Sequence, residues 1–365
     1  MTITPVLQFG TSRFLQAHAD LFLSEALTAG KAVGPITVVQ SSGDPDRARR
    51  LGALAAPGGY TVRIRGLQDG QVVNKETRVT SVKRTLSTHS DWAEVKRVAV
   101  EEAAFILSNT GDAGYQPKPE DLNAAFHPSM SYPAKLLHLL LARFEDNADP
   151  IQIMPLELIV DNGAVLKART CELAQDRSPA FRTYLERDVT WVNSLVDRIV
   201  SEPLEPAGAV AEPYALWAVE NQLGLKLPCK HASVRVFERL ATVEALKLFV
   251  LNLGHTVMAE NWNTPGATVR GVLADEEKLN ELHAVYQDEV LPAFEAAGLR
   301  AEARDYQTVT LDRFANPFLD HRIADIATNH KEKVGRRIGA FLNWAQLRGD
   351  ERPKPVLSAI AARHA

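Results

Sequence analysis

The sequence predicts an α/β fold, a parallel sheet with crossover helices over residues 1–240, followed by a mainly α-helical C-terminal domain over 241–365. Three observations carry this. In the first half, short apolar strand-like runs alternate with stretches of helical periodicity. From about residue 241 the strand signals stop, and 241–260, 276–297 and 318–347 keep apolar residues at helical spacing. At 365 residues and 45% hydrophobic content, the chain is long enough for two cores.

The first strand is 4–10 (TPVLQFG), which runs into a glycine turn, and 13–30 follows as a helix. Residues 34–42 (GPITVVQSS) form the second strand. Residues 61–82 alternate apolar and polar side chains around Asp69-Gly70, the signature of an inserted hairpin. Residues 102–111 read as a buried strand ending in small polar residues, 131–147 as an amphipathic helix, and 150–163 as another buried strand. The stretch 201–220 holds Pro203, Pro206 and Pro213 and reads as mostly irregular, because proline cannot donate to a ladder. Residues 235–240 close the first domain. There is no internal repeat and no low-complexity tract.

Composition excludes several function classes. A formal charge of −4 offers no basic stripe to offset phosphate repulsion, so nucleic acid is not an expected partner. Cys171 and Cys229 are the only cysteines, too few for a disulfide framework or a thiolate metal cluster, which fits a reducing compartment. The opening MTITPVLQFG lacks a basic, then apolar, leader pattern, and no run reaches 18 uninterrupted apolar residues. The expectation is a cytoplasmic protein without a membrane partner. Ten histidines show neither HExxH nor cysteine-paired spacing, so no metal is expected.

The chemistry concentrates in 244–258, EALKLFVLNLGHTVM. On an α-helix with Lys247 at zero, Glu244 falls at about 60°, His255 at about 80° and Asn252 at about 140°. Leu248, Leu251 and Met258 lie between these polar groups, where a solvated face would carry Glu, Lys or Gln. The helix is therefore expected to be buried around most of its circumference, and its Lys, Asn and His need partners or a task. Two readings stand at this point. One is a polar network tying helices together. The other is a site for proton transfer at a hydroxyl or carbonyl, with a partly desolvated lysine as acid and base and amide and imidazole groups on the oxygen.

A second signal lies at Gly10, where a strand meets a helix. In a Rossmann-type dinucleotide-binding domain the pyrophosphate rests on helix N-terminal amides at such a turn. Ser12 stands where the fingerprint has its second glycine. The second strand ends Gln40-Ser41-Ser42 rather than in the acid that usually holds the NAD ribose, and Arg47, Arg49 and Arg50 lie just beyond. They fit either a solvated helix face or a 2′-phosphate.

Lys-x4-Asn-x2-His with Glu three residues earlier resembles the signature of the mannitol dehydrogenase family, the polyol-specific long-chain dehydrogenases. Four more motifs match in order. Phe9-Gly10-Thr11-Ser12-Arg13-Phe14 with Ala17-His18 resembles the family's opening, and Asp161-Asn162-Gly163 its D/E-N-G turn. Val196-Asp197-Arg198-Ile199 and Arg313-Phe314-Ala315-Asn316-Pro317 resemble its V-D-R-I and R-F-x-N-P. The similarity runs from residue 6 to about 345, and VVQSSGD and FILSNTGDAGY are closest to the tagaturonate and fructuronate reductase branch.

This resemblance implies an NAD-dependent, metal-independent oxidoreductase, with NADP the alternative cofactor. Its substrate would be an acyclic sugar acid. A neutral polyol or polyol phosphate, of mannitol or arabinitol type, is the first alternative, and a non-catalytic nucleotide-binding paralogue the second. Lys247 would be the general acid/base, Asn162 and Asn252 the donors to the substrate oxygen, His255 its orienter and Glu244 a proton relay. Asp197, Arg313, Asn316 and Lys333 would meet substrate, while Arg270 and Arg322 are further candidates for a carboxylate. Gly10, Thr11, Ser12, Arg13, Phe14, Gln40, Ser41, Ser108, Asn109 and Thr110 would line the cofactor site. His321 faces either the site or solvent.

Overall fold

Eight strands open the chain: β1 (Val6–Phe9), β2 (Ile36–Gln40), β3 (Tyr60–Gln68), β4 (Gln71–Val79), β5 (Val82–Ser87), β6 (Phe105–Ser108), β7 (Ile151–Pro155) and β8 (Val189–Trp191). Six of them form a parallel sheet in the order β5-β2-β1-β6-β7-β8. Every residue of β1, β2, β6 and β7 is buried, which explains why their sequences are apolar runs rather than alternations. The chain leaves β1 for β2 on one side and later returns to β6 on the other. The carboxyl end of β1 is thus the topological switch point, where open α/β sheets bind ligands. Gly10 sits there.

The computed structural model describes residues 2–364, and the side chains of Arg47 and Asp112 lie outside that description. Two compact units result. One runs to Ile64 and continues through Lys75–Ala211 and Ala215–Leu240, while the other takes Arg65–Asn74, Glu212–Tyr214 and everything from Ala241 onward.

The remaining strands are β9 (Ser194–Asp197), β10 (Val200–Pro203), β11 (Gly208–Ala211), β12 (Leu216–Glu220) and β13 (Val234–Phe237). Sheets β10-β11-β3-β4 and β13-β12-β9 use them. The stretch 201–220 is therefore not irregular. Its prolines are placed where a missing N–H does no harm: Pro203 ends the edge strand β10, and Pro206 and Pro213 lie between strands. The hairpin turn between β3 and β4 is Asp69-Gly70, both with positive φ (52° and 71°), as a tight turn of primed type requires.

Two other expectations change. The helix over 13–30 is broken into Arg13–Gln16 and Ala19–Thr28, because the Arg198 guanidinium takes the Ala17 carbonyl (2.6 Å) and the buried His18 ring binds the Leu216 carbonyl (2.9 Å). The strand over 150–163 stops at Pro155. Leu158 and Val160 beyond it are exposed, and the helix Asn162–Leu173 begins instead.

The second unit is helical. Ala241–Leu246 and Leu253–Asn261 flank a π-helical turn, Lys247–Asn252; two further π turns are Val285–Val290 and Gly335–Gly339. Arg300–Phe314 and Pro355–Arg363 are additional helices. The core gathers Leu253, Val257, Met258, Phe294, Ile338 and Phe341. Among the described residues, no helix is long and apolar enough to cross a membrane.

Candidate active site

At the carboxyl ends of β1, β2 and β6 the first unit opens a cleft of about 630 Å3. Gly10, Thr11, Gln40, Ser41, Asn109 and Thr110, six of the residues expected to hold a cofactor, line it. Gly10 adopts φ 127°, and a Cβ there would stand 2.7 Å from the Asn109 carbonyl oxygen, so only glycine keeps this turn open. The other four expected cofactor residues do not line the cleft. Ser12 caps the short helix, accepting from Leu15 N and donating to Asn109 Oδ1 (3.1 Å). Arg13 turns away to the Leu204 and Gly208 carbonyls and to Glu205. Phe14 stacks on His18, and Ser108 is buried, donating to Glu157.

Several residues of this cleft went unnoticed in the sequence. Lys135 projects from the helix Tyr132–Glu145 and donates to the Ser41 carbonyl (2.6 Å) and hydroxyl (3.2 Å), and burial brings its ammonium down to about 8. Its signal was a lone lysine among leucines in YPAKLLHLLL. Glu157 is 2% exposed, and burial raises its pKa. It holds the 108–110 loop by accepting from Ser108 Oγ (3.0 Å) and from the Thr110 N–H (2.9 Å). His89 and Lys118 add polar walls. No carboxylate ends β2. Gln40 takes that place and donates to the Asp44 carbonyl (2.7 Å).

In the second unit, Lys247 opens the π turn and Asn252 closes it. Winding with i→i+5 bonds reduces the angular offset that an α-helix gives this pair. Such winding also displaces carbonyls from their usual donors. Tyr286 Oη donates to Val250 O (2.9 Å), while Thr256 Oγ1 (2.9 Å) and Arg337 Nη1 (3.4 Å) donate to Asn252 O. The Tyr286 hydroxyl reaches Val250 because residue 254 is glycine: a Cβ there would lie 2.0 Å from that oxygen. Lys247, Asn252 and Glu244 are half-buried and His255 is buried, with Leu251 and Met258 enclosed beside them. Burial, then the charges of His321, Arg313, Arg337 and Lys333, hold His255 well below the usual histidine range, so it is neutral at pH 7. Its ring lies 4.4 Å from Phe314 and 5.0 Å from His321. His321 is thus an inward, half-buried neighbour of His255.

Residues 4–228 match the mannitol dehydrogenase Rossmann domain, and residues 239–364 match the mannitol dehydrogenase C-terminal domain. The chain belongs to the mannitol dehydrogenase family. Relatives of this oxidoreductase include the altronate oxidoreductase of Halalkalibacterium halodurans, 30% identical over 98% of this chain and 74% of that protein. That of Bacillus subtilis is 29% identical over 98% and 78%. Among solved structures, a D-sorbitol dehydrogenase in substrate-free form superposes with TM-score 0.85 at 19% identity, covering 100% of this chain and 80% of that one. The Pseudomonas fluorescens mannitol 2-dehydrogenase ternary complex with NAD and D-mannitol gives 0.73 at 17%, covering 100% and 79%. At these identities both show the fold.

Within this family member, four expected substrate-side residues prove to be engaged elsewhere. Asn162 is fully buried; its amide nitrogen donates to the carbonyls of Pro155, Glu157 and Ser194, and its oxygen accepts from Ser194 N. Both of its N–H groups are occupied, which corrects its role as an oxyanion donor: it ties the end of β7 to β9. Arg313 forms a buried bidentate pair with Glu212 (3.0 and 2.8 Å) and lies over the Tyr214 ring. Asn316 accepts from Phe318 N and fixes the Asn-Pro turn. Asp197 is buried at the end of β9, where its charge reaches His18.

Lys333 and Arg337 are different. Lys333 Nζ donates to Ile326 O (2.7 Å), and Arg337 donates to Asn252 O and Thr256 Oγ1 (3.1 Å). Among the described residues neither has a carboxylate within ion-pair distance, and burial lowers the pKa of both. Arg337 is the functional candidate that the sequence reading missed. Arg270 pairs with Asp320, and the side chain of Arg47 lies outside the described residues.

Proposed function

We propose that the chain is an NAD-dependent dehydrogenase that interconverts a secondary alcohol and a ketone on an acyclic sugar acid, an aldonate of the altronate kind and its keto-acid. The observation that carries the reading is the π turn that brings Lys247 and Asn252 together beside a neutral His255, with the charges of Lys333 and Arg337, from the neighbouring helical segment, acting on that histidine. The relatives' name, altronate oxidoreductase, supports a sugar acid over a neutral polyol.

The cleft at the β1 switch point fits a dinucleotide: Gly10 leaves the space that a Cβ would fill, and Gln40, Ser41 and Lys135 offer hydrogen bonds at the ribose end. A dinucleotide held by these residues would supply a nicotinamide as hydride acceptor or donor. In the oxidation direction Lys247, as free amine, takes the hydroxyl proton. Asn252 donates a hydrogen bond to the oxygen as its negative charge develops, a contribution of about 2–4 kcal/mol for a preorganised donor. The neutral imidazole of His255 orients that oxygen, and Glu244 passes the proton from Lys247 to water. Lys333 and Arg337 bind the far carboxylate.

NADH oxidation followed at 340 nm with keto-sugar acids and the matching neutral ketoses tests this. The acids should lead by about a hundredfold in kcat/KM, because a cation left unpaired is costly. Equal or better turnover of the neutral ketoses would make the enzyme a polyol dehydrogenase.

A further inference from the structure

Away from the π turn, the helix that carries His255 ends near Glu260, and there two histidines from distant segments converge. His330 opens the helix His330–Val334, and His364 follows the helix Pro355–Arg363. Nε2 of His330 lies 2.7 Å and Nε2 of His364 2.8 Å from one and the same oxygen, Glu260 Oε2. The three ligand atoms lie within 4.8 Å of one another, and the imidazole rings are 5.1 Å apart at 80°. The side chains are 12%, 17% and 24% exposed for Glu260, His330 and His364, so the site is shielded yet reachable from solvent.

We infer that Glu260, His330 and His364 form a binding site for a divalent transition-metal ion of the zinc type, which clips the helix Pro355–Arg363 to the end of the catalytic helix. Two imidazoles and a carboxylate are a recurrent three-residue zinc set, with water as the fourth ligand, and imidazole selects zinc, nickel or copper over magnesium or calcium. Zinc–nitrogen and zinc–oxygen bonds of about 2.0–2.2 Å in tetrahedral array hold ligand atoms roughly 3.3 Å apart, so each histidine and the carboxylate oxygen separate by only about half an ångström. The imidazoles bind as neutral ligands through Nε2, with the ring proton on Nδ1. Arg363 Nε occupies the other carboxylate oxygen of Glu260 (2.8 Å), and its side chain, 53% exposed, swings into water when a dication enters.

The site is separate from the proton-transfer residues. Glu260 is five positions beyond His255, and none of the three ligands is assigned to substrate or cofactor. Its effect is on stability: binding to the folded state alone raises the midpoint as free metal exceeds the dissociation constant.

Full-length protein, stripped with a chelator and dialysed, is titrated with zinc chloride by calorimetry and followed by thermal melting. The expected result is one zinc per chain, a higher midpoint with zinc, and unchanged initial NADH turnover. His330→Ala and His364→Ala each weaken binding by about a hundredfold or more, whereas His127→Ala, at an exposed histidine, leaves it intact. Cobalt(II) in the wild-type protein reads the geometry without any variant, through the intense visible bands of a four-coordinate site. No zinc uptake, binding that survives both histidine changes, or a six-coordinate cobalt spectrum overturns the inference.

Discussion

Gly254→Ala adds one methyl group to the most constrained point of the second unit. The new Cβ would stand 2.0 Å from the Tyr286 hydroxyl oxygen, 3.1 Å from its Cζ and 3.3 Å from Phe314 Cε2. Tyr286 is fully buried and its phenol is rigid, so relief requires a shift of roughly 1.5 Å between two packed helices to reach ordinary carbon–oxygen contact. Overpacking of this kind costs about 3 kcal/mol, and the better helix propensity of alanine returns about 1 kcal/mol. The net loss of about 2 kcal/mol corresponds to a midpoint about 4–8 °C lower. The same shift breaks the Tyr286–Val250 hydrogen bond that supports the π turn, so Asn252 leaves its position relative to Lys247 and kcat falls by about tenfold or more. Differential scanning calorimetry and steady-state kinetics on one preparation give both values. Gly254→Ala with Tyr286→Phe should recover part of the midpoint but not the rate, since the clash eases while Val250 O stays without its donor. A single variant with wild-type midpoint and wild-type kcat would refute the argument that glycine is needed here.

Lys247→Ala should lower kcat by at least about a hundredfold while NADH affinity, measured by fluorescence, stays within about twofold. Near-native turnover at every pH would remove lysine from the mechanism. Arg337→Met and Lys333→Met should each erase much of the preference for keto-acids over matching ketoses, mainly through KM; a preference left intact in both would place the carboxylate elsewhere. Asp20 is buried beside Tyr60 (2.7 Å), and burial raises its carboxyl from 3.8 to about 6. The folded state therefore binds the proton more tightly, and the stability this gives is complete below about pH 4, falls as pH rises to about 6, and is absent above it. A rise of that size is worth about 3 kcal/mol. The buried His18, brought down to about 3 chiefly by burial, titrates in the opposite sense, so the quantity to follow is the difference between wild type and Asp20→Asn. Asp20→Asn should gain stability over wild type as pH rises from 4 to 6, and parallel curves would contradict the raised pKa.

The parallel sheet was legible because its strands are buried on both faces and carry the apolar runs that such burial selects. The helical half was legible by period. Segments whose structure is set by partners far along the chain were not. Arg300–Phe314 is polar over most of its surface, with few buried side chains, so periodicity was silent. The strands β10 to β12 sit among prolines that look disruptive until the ladder shows which N–H groups are unused. The break at His18 depends on Arg198, 181 positions away from Ala17.

The candidate site shows the same division more sharply. Lys247, Asn252 and His255 were visible because polar groups were interspersed with leucine on a helix, an arrangement water does not explain. The 100° rule nevertheless gave the wrong angles, since no local propensity marks a π turn. It exists because Tyr286, Thr256 and Arg337 satisfy the carbonyls it frees, and two of those three lie outside the motif. Asn162 and Arg313 were misjudged for the converse reason. A short polar motif records that a side chain is needed, and both are: one closes a turn onto β9, the other neutralises the buried Glu212. Breaking that last pair would leave a buried carboxylate alone, at a cost of about 3–5 kcal/mol, so Arg313→Ala should lose activity by unfolding rather than by losing substrate. Calorimetry decides between the two: a stable Arg313→Ala protein with raised KM would return Arg313 to the substrate site, and a midpoint lowered by about 6 °C or more would keep it with Glu212.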